Sequence, residues 1–250
     1  MTIELFDPTV RAQLGPYSLT SGIAVDVYSS KDTYFDWASV TCSEAYLGKI
    51  SLDARQEAAI YMGYGTAQDL VFSGMVSQPY NSAAGQNEVL LKDNMLRLEQ
   101  TYLSDTFLAV RPQEILEALL GQAGISNYQL ATGSWAPKPV VPIRRKNGIE
   151  VIQQINALWG IDAKFFFSRG VFYWGIVPPQ AKTYQFVYGS NILHLARQGG
   201  LWELETVSVP FIHHSERIAV QAPAVSGTFE VVKTHFSTEQ TGFVRAYLYF

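Results

Sequence analysis

The sequence predicts a mainly β protein in which a small αβ insert separates two β segments. Apolar and polar side chains alternate with a period of two in several short stretches, and turn residues separate these stretches. The period changes to that of a helix near Arg111 and returns to two from Leu201 onward. Short strands at this spacing are typical of a β-sandwich or a β-barrel.

The first β segment ends in a predicted hairpin between Tyr61 and Asp93. The hairpin loop, residues 79–86, is rich in Asn, Ser, Ala and Gly, which favour turns. The predicted strands of the segment cover residues 23–28, 38–41, 57–62, 70–77 and 88–92. Strict alternation along strand 70–77 assigns its side chains to two faces, with Leu70, Phe72 and Val76 on one and Val71, Ser73 and Met75 on the other.

The first predicted helix of the insert begins at Pro112. Proline suits the first helical position because its missing N–H would have no partner there. Glu114 lies in the first turn, where a carboxylate complements the helix dipole. Gly121 and Gly124 end the helix. Its apolar face is formed by Ile115, Leu116, Leu119 and Leu120.

The second predicted helix begins at Asn147 and ends at Gly160. Asn147 and Glu150 have the spacing of a capping box, in which each side chain binds the other residue's backbone N–H. Its apolar face is formed by Val151, Ile152, Ile155, Leu158 and Trp159. A polar, proline-rich link, residues 126–142, is predicted between the helices, and an aromatic hairpin, residues 164–174, follows the second one.

The second β segment closes the chain. Its predicted strands cover residues 203–209, 217–220, 227–233 and 243–250. No sequence repeat relates this segment strictly to the first one, although the two segments can still be related in shape.

The composition bounds the class of protein. Hydrophobic residues make up 48% and charged residues 16% of the 250 residues, so a large core is available and part of the surface is expected to be covered by assembly. The net charge of −4 excludes the electrostatic pattern of a nucleic-acid binder. The basic run Arg144-Arg145-Lys146 is predicted to be a solvated turn rather than a phosphate clamp.

The cysteine count and the hydropathy give two further expectations. Cys42 is the single cysteine, so no internal disulfide can form, and it is interpreted as a small buried hydrophobe rather than a nucleophile. No signal peptide is expected at the start of the chain, and no stretch is apolar enough to predict a membrane-spanning helix.

The side chains that could carry out chemistry are weak candidates, and we predict no catalytic, cofactor-binding or metal-binding residue. His213 and His214 are adjacent, so in a strand they point to opposite faces and cannot chelate one metal ion. Gly63-Tyr64-Gly65 lacks the third glycine and the helix of a dinucleotide-binding motif. The remaining histidines, His194 and His235, match no ligand spacing.

Glu203 and Glu205 form the strongest carboxylate pair. On a regular strand their backbones lie about 6.6 Å apart on the same face, a separation that resembles a glycosidase acid/base pair. Glycosidase carboxylates flank a sugar from opposite sides, whereas these two point the same way. A solvated strand face is therefore the favoured interpretation, and a glycosidase that uses Glu203 or Glu205 stays as a hypothesis.

Three segments, in order along the chain, resemble the central tail hub proteins of contractile-tailed bacteriophages and related injection machines, a group that includes the late control protein D family. The segments are Tyr61-Met62-Gly63-Tyr64-Gly65 with the strands that follow it, Arg111-Pro112-Gln113-Glu114-Ile115-Leu116 with Gly124-Ile125, and residues 147–159 with Phe172-Tyr173-Trp174. The resemblance runs from about Ile23 to Phe250 and rests on diffuse motifs.

The resemblance implies two tube-like β-barrel domains that flank the two-helix αβ region, with domains at residues 1–105, 106–185 and 186–250. It implies a homotrimer whose six barrels form a pseudo-hexameric ring between a tail tube protein and a central spike protein. A tape-measure protein and baseplate wedge proteins are further implied partners, and no specific nucleic-acid binding is expected. The implied place is the virion tail baseplate, assembled in the cytoplasm of the bacterial host.

Some members of the group carry a fused spike or lysozyme domain, and this sequence shows neither before Phe250. We therefore expect no enzymatic activity and no cofactor. The alternative function, from another class, is a carbohydrate-binding β-sandwich of a receptor-binding tail protein that stacks sugars on surface Trp and Tyr side chains.

Overall fold

The computed structural model describes residues 7–238 and 244–250. Strands account for 51% and helices for 15% of the structure, which confirms the predicted mainly β fold with a small helical region. Residue contacts divide the chain into two units. The first unit joins Met1–Asp93 to Pro178–Phe250, and the second unit is Asn94–Val177.

The N-terminal part of the first unit is built from short antiparallel strands. They are β1 Pro8–Leu14, β2 Tyr17–Leu19, β3 Ile23–Ser30, β4 Trp37–Cys42, β5 Ser51–Leu52, β6 Glu57–Tyr64, β7 Ala67–Val76, β8 Tyr80–Asn81 and β9 Glu88–Asp93. All five strands predicted here are present, and β7 pairs with β9 as the hairpin prediction requires. Strand β1 has no counterpart among the predictions.

The predicted faces of β7 are wrong at Leu70 and Val71 because a β-bulge interrupts the alternation. Ile60 of β6 pairs with Phe72, whereas Tyr61 pairs with Leu70, so Val71 is an extra residue on β7. The bulge turns Leu70 to the opposite face from Phe72. Val71 is buried in the core with Phe72 and Val76, against the prediction.

The second unit contains three helices and five strands among its described residues. They are α1 Met95–Gln100, β10 Tyr102–Val110, α2 Pro112–Gln122, β11 Tyr128–Leu130, β12 Lys138–Asn147, α3 Gly148–Trp159, β13 Phe165–Ser168 and β14 Val171–Trp174. Helices α2 and α3 and the hairpin β13–β14 confirm predictions. Helix α1 was missed because its six residues are too few for a periodic pattern.

Reciprocal capping fixes the start of α3, as predicted. The N–H of Asn147 donates to Glu150 Oε2 at 2.9 Å, and the N–H of Glu150 donates to Asn147 Oδ1 at 3.0 Å. Gly160 ends the helix with a left-handed φ of 62°. Leu158 was assigned to the apolar face, but it is exposed, so the buried face of α3 is narrower than predicted.

The polar, proline-rich link predicted at residues 126–142 contains one strand and part of another. Strand β11 pairs with β14, and β12 pairs with β10 in a two-stranded antiparallel ribbon. Pro139 and Pro142 point their nitrogens to opposite edges of β12, so one of them lies on the outer edge, where no N–H donor is needed, and the other removes one hydrogen bond from the ribbon. The run Arg144-Arg145-Lys146 therefore lies in a strand rather than in the predicted turn.

The C-terminal part of the first unit returns to short strands. They are β15 Tyr184–Val187, β16 His194–Gln198, β17 Leu201–Val207, β18 Arg217–Gln221, β19 Ser226–Glu230, β20 Lys233–Thr238 and β21 Val244–Tyr249. The predicted strand 227–233 is present over residues 227–230, but its end is wrong, because β19 ends at Glu230 and Lys233 begins β20. Phe243, the first residue of the last predicted strand, lies outside the described residues.

One eleven-stranded sheet joins both β segments. Its order is β16-β17-β21-β20-β3-β4-β9-β7-β6-β1-β2. The connection between the segments is the antiparallel pairing of β20 with β3, which sets Phe236 opposite Val27. Buried side chains from both segments form a single apolar core. The division of this unit into two barrels, with boundaries after residues 105 and 185, stays a prediction.

Close packing of β7 against β9 produces the first test. A Cβ added to Gly74 would overlap the carbonyl oxygen of Lys92, a backbone atom that cannot move alone. We expect Gly74→Ala to lower the free energy of unfolding by about 1–3 kcal/mol because of this overpacking. Chemical denaturation followed by circular dichroism measures the change.

Gly121→Ala is the matched control. Gly121 lies within α2, its φ is not positive, and an added Cβ meets no atom within 4 Å. Alanine is the better helix former by roughly 0.5–1 kcal/mol, so this variant is expected to be more stable than the wild type. Equal stability of the Gly74→Ala protein and the wild type would contradict the packing described here.

Candidate functional site

The carboxylate pair Glu203 and Glu205 lies on one face of β17, as predicted, and faces the neighbouring strand β21. In the register, Glu203 is opposite Tyr249 and Glu205 is opposite Tyr247. A hydrogen bond links Glu203 to the Tyr249 hydroxyl, and Glu205 Oε1 lies 3.7 Å from Arg245 Nε. Both carboxylates are half-buried, so the face is less solvated than predicted.

Tyr249 shows how tightly this face is packed. Burial raises the pKa of the Tyr249 hydroxyl, and the nearby Glu203 carboxylate raises it further, so the hydroxyl stays protonated and can donate. The two glutamates are thus engaged with cross-strand neighbours on one side. This geometry does not place them on opposite sides of a substrate, as a glycosidase requires.

The same sheet face carries a row of stacked rings that crosses the join between the two β segments. Trp37 of β4, Tyr28 of β3, His235 of β20 and Tyr247 of β21 form this row, which we call the ring ladder. The ring centroids are 4.1 Å apart for Trp37–Tyr28, 3.9 Å for Tyr28–His235 and 5.2 Å for His235–Tyr247, with interplanar angles below 20°. Cross-strand aromatic pairs of this kind stabilise a sheet.

His235 is the polar centre of the ring ladder. Its Nε2 lies 2.9 Å from Asp26 Oδ1, and since a carboxylate only accepts, Nε2 carries the proton. Burial lowers the pKa of His235, and this effect outweighs the opposing influence of Asp26. The groups that face the imidazole are Asp26, Tyr28, Lys233, Glu203 and Tyr247.

A second polar cluster surrounds Asp36, just before β4. Asp36 Oδ2 accepts from Ser29 Oγ at 2.5 Å, and Oδ1 accepts from the N–H of Ser30 at 2.9 Å. His214 Nε2 lies 3.8 Å from Asp36 Oδ2, and His214 Nδ1 lies 3.1 Å from Ser215 Oγ. The cluster connects β3 with the loop between β17 and β18.

Ser215, His214 and Asp36 have the residue types of a hydrolase triad, and Ser215 has a left-handed φ of 68°. The side chains are nevertheless out of reach of a substrate. The His214 side chain has no exposed surface, and Ser215 is 7% exposed. The cluster is therefore a structural clamp, and it was missed in the sequence because Asp36 and His214 are far apart along the chain.

The other candidates from the sequence have structural roles. Cys42 is buried, and burial raises the pKa of its thiol, which leaves it protonated and weakly nucleophilic. Gly63 and Tyr64 end β6, and the Tyr64 hydroxyl donates to the carbonyl of Ser208 at 2.6 Å. His194 lies on β16 and His213 is buried in the β17–β18 loop.

The described residues contain neither a candidate metal site nor a helix that could span a membrane. No group of three or more His, Cys, Asp or Glu side chains within residues 7–238 and 244–250 could hold a metal ion. Across the same residues, no helix is long and apolar enough to cross a membrane.

Comparison with known sequences gives no match: no protein-family model fits the chain, and no curated protein is similar in sequence. Comparison with solved structures gives several. The 43 kDa tail protein of prophage MuSo2 from Shewanella oneidensis matches with a TM-score of 0.74 and 10% identity over 98% of each chain. A tail protein from Neisseria meningitidis MC58 matches with a TM-score of 0.73 and 9% identity, over 98% of this chain and 96% of that one.

A third solved structure is the Escherichia coli c3393 protein, a component of the type VI secretion system with structural similarity to the T4 bacteriophage tail proteins gp27 and gp5. It matches with a TM-score of 0.62 and 11% identity, over 91% of this chain and 72% of that one. The fold is therefore that of phage tail proteins and of this related secretion component, which agrees with the resemblance seen in the sequence.

The lowered pKa of His235 predicts a pH-dependent stability. The unfolded chain takes up a proton near pH 6.5, before the folded protein does. Stability is therefore expected to fall as the pH drops below about 6.5 toward the folded pKa. His235→Phe keeps a ring in the ladder and removes the titrating group, so its free energy of unfolding should depend less on pH between 7 and 5.

Denaturant unfolding of both proteins at several pH values measures this difference. Both proteins contain the other histidines. A difference in the slope of the free energy of unfolding against pH is therefore caused by His235. Identical slopes would contradict the burial of a neutral imidazole in the ladder.

The Asp36 clamp is tested by Asp36→Ala. The change removes the acceptor of Ser29 Oγ and of the Ser30 N–H, and it leaves these donors partly buried without their partner. We expect the free energy of unfolding to fall by about 1–3 kcal/mol. Asp53→Ala, at an exposed site, is the control and is expected to change stability by less than about 0.5 kcal/mol. If both substitutions changed the free energy of unfolding by similar amounts, the Asp36 cluster would not be a stabilising clamp.

Proposed function

We propose that this chain is the structural hub of a phage-type tail baseplate, where three copies form a pseudo-hexameric ring that joins the tail tube to the central spike. The observation that carries the proposal is the fold itself. Two separate β segments build one continuous sheet around one core, and the whole chain aligns with a phage tail protein of nearly the same extent.

The proposed ring solves a symmetry mismatch. A tail tube with sixfold symmetry and a spike with threefold symmetry can be joined if each of three subunits presents two similar domains. The two β segments, which meet where β20 pairs with β3, are the natural source of the two domains. This is the role that we assign to the proposed domains at residues 1–105 and 186–250.

The absence of an enzymatic role is part of the proposal. The carboxylates and imidazoles that were the best candidates for catalytic groups contact neighbouring side chains or backbone groups within the fold. The contacts of Glu205, His235 and Asp36 are examples. The hub then works through its interfaces with the tail tube protein, the spike protein, the tape-measure protein and the baseplate wedge. Assembly takes place in the cytoplasm of the bacterial host.

The lining of the proposed channel is expected to be neutral or acidic and not to hold DNA. On the face that carries the ring ladder, cations lie beside anions or rings: Arg245 is near Glu205, and Lys233 Nζ lies 4.6 Å from the centre of the Tyr249 ring. A channel lined by such a face would exert little net attraction on phosphates. A strongly positive lumen in the assembled ring would overturn this part of the proposal.

The proposal is tested by the mass of the assembly. Native mass spectrometry of the chain, alone and co-expressed with its cognate spike protein, is expected to show three copies of the chain, and electron micrographs should show a ring. A strictly monomeric chain under all conditions would contradict the proposal.

The alternative, a carbohydrate-binding domain, is favoured by one observation. Trp37 ends the ring ladder and is 43% exposed, as a sugar-stacking platform would be. A glycan-array signal that is lost in Trp37→Ala, from a chain that does not assemble, would favour this alternative over the hub.

A further inference from the structure

The outer face of the β10–β12 ribbon in the second unit presents apolar side chains. Leu108 and Val140 are opposite each other in the register, and they are 71% and 55% exposed. The neighbouring pair on that face is Thr106 and Pro142, both exposed. The opposite face of the ribbon is covered, since Val141 and Ile143 are buried. The exposed pair is a small apolar patch that a partner molecule can cover.

The ribbon is also the most basic part of the second unit. Lys138, Arg144, Arg145 and Lys146 all lie on β12, whereas Asp105 is the single acidic residue of the two strands. Arg144 and Arg145 are exposed, whereas Lys138 and Lys146 are half-buried opposite the buried Val110 and Leu103. An apolar centre bordered by charged side chains is the usual composition of a protein–protein interface.

The two units carry opposite net charges. The first unit contains 16 Asp and Glu and 10 Lys and Arg, a net charge of −6. The second unit contains 6 Asp and Glu and 8 Lys and Arg, a net charge of +2. Four of those eight cations are on β12. A basic ribbon on one copy of the chain is therefore complementary to the first unit of another copy.

Symmetry decides which contact between copies uses this complementarity. In a twofold dimer the same patch meets itself, which would bring two basic ribbons together and oppose association. In a closed ring each copy contributes two different patches, and these can have opposite charges. The charge pattern thus favours a head-to-tail contact over a self-complementary one.

We infer that the outer face of the β10–β12 ribbon is a contact between copies of the chain, in which Leu108, Val140 and the exposed Arg144 and Arg145 dock on the acidic first unit of the next copy in the ring. This inference rests on the proposed ring and adds to it a surface and a direction of docking. The covered apolar pair supplies affinity, and the cations set the orientation of the contact and accelerate association.

Charge reversal tests the inference. Arg144→Glu/Arg145→Glu replaces the two exposed cations of β12, and Lys164→Glu/Arg169→Glu makes the same change of net charge at exposed sites of the β13–β14 hairpin. Sedimentation over a range of concentrations gives the midpoint of dissociation of the trimer. The ribbon variant is expected to raise this midpoint about tenfold or more, which corresponds to the loss of two favourable ion pairs. The hairpin variant is expected to change it much less.

Circular dichroism spectra and melting temperatures of both variants are compared with those of the wild type, so that a folding defect is not mistaken for lost association. If the ribbon variant is misfolded, Leu108→Ser/Val140→Ser takes its place. Both of these side chains are exposed, so their replacement is expected to leave the fold intact. The same rise in the midpoint is then expected.

Crosslinking identifies the partner surface directly. A mixture of isotopically light and heavy copies, treated with a carbodiimide, joins lysines to carboxylates in direct contact. We expect Lys138 or Lys146 of one copy to link to a carboxylate in residues 7–93 or 178–250 of another.

The outcomes separate the inference from the proposed hub. A wild-type chain that forms no trimer, alone or with its spike protein, would overturn the hub. A trimer that forms equally well in the ribbon variant, with no crosslink from β12 between copies, would overturn the inference and leave the hub intact. A ribbon variant that forms trimers but loses the spike protein would overturn the inference by making the spike the occupant of this surface.

Discussion

The pairing of β3 with β20 is the interaction on which the rest of the first unit depends. It aligns residues near position 27 with residues near position 236, and every strand on either side is placed relative to this pair. Backbone hydrogen bonds alone would leave the register open to slippage. The register is fixed by side chains on both faces: Val27 and Phe236 in the core, and Tyr28 stacked on His235 on the other face.

The polar contacts at this join explain why the chain contains residue types common in active sites although we propose no active site. The His235–Asp26 pair and the Lys31–Glu230 ion pair both connect the N-terminal segment to the C-terminal one. Asp36 and His214 do the same from two loops. Partly buried polar groups need partners, and the groups named here find theirs across the join.

Local features of the fold could be predicted from the sequence, whereas features set by distant neighbours could not. The capping pair Asn147–Glu150 and the left-handed Gly160 are decided within a few residues, and both are as predicted. The bulge at Val71 depends on how β6 pairs, which alternation along β7 alone does not contain. Strand β12 was mistaken for a link because its prolines argue against a strand unless the ribbon pairing is known. The Asp36 cluster escaped for the same reason, since no local pattern connects residues 36 and 214.

The discontinuous first unit has a consequence for the order of events during synthesis. The second unit is a continuous stretch, so its helices and strands can pack as soon as they leave the ribosome. Strands β1–β9 emerge earlier, yet the edge of β3 has no partner until β20 is made, some 200 residues later. Throughout that interval an exposed strand edge and half of an apolar core must be kept from other chains. The yield of folded protein therefore depends on how long the first strands remain unpaired. Slower translation of the insert would give them more time to aggregate without changing the stability of the folded protein.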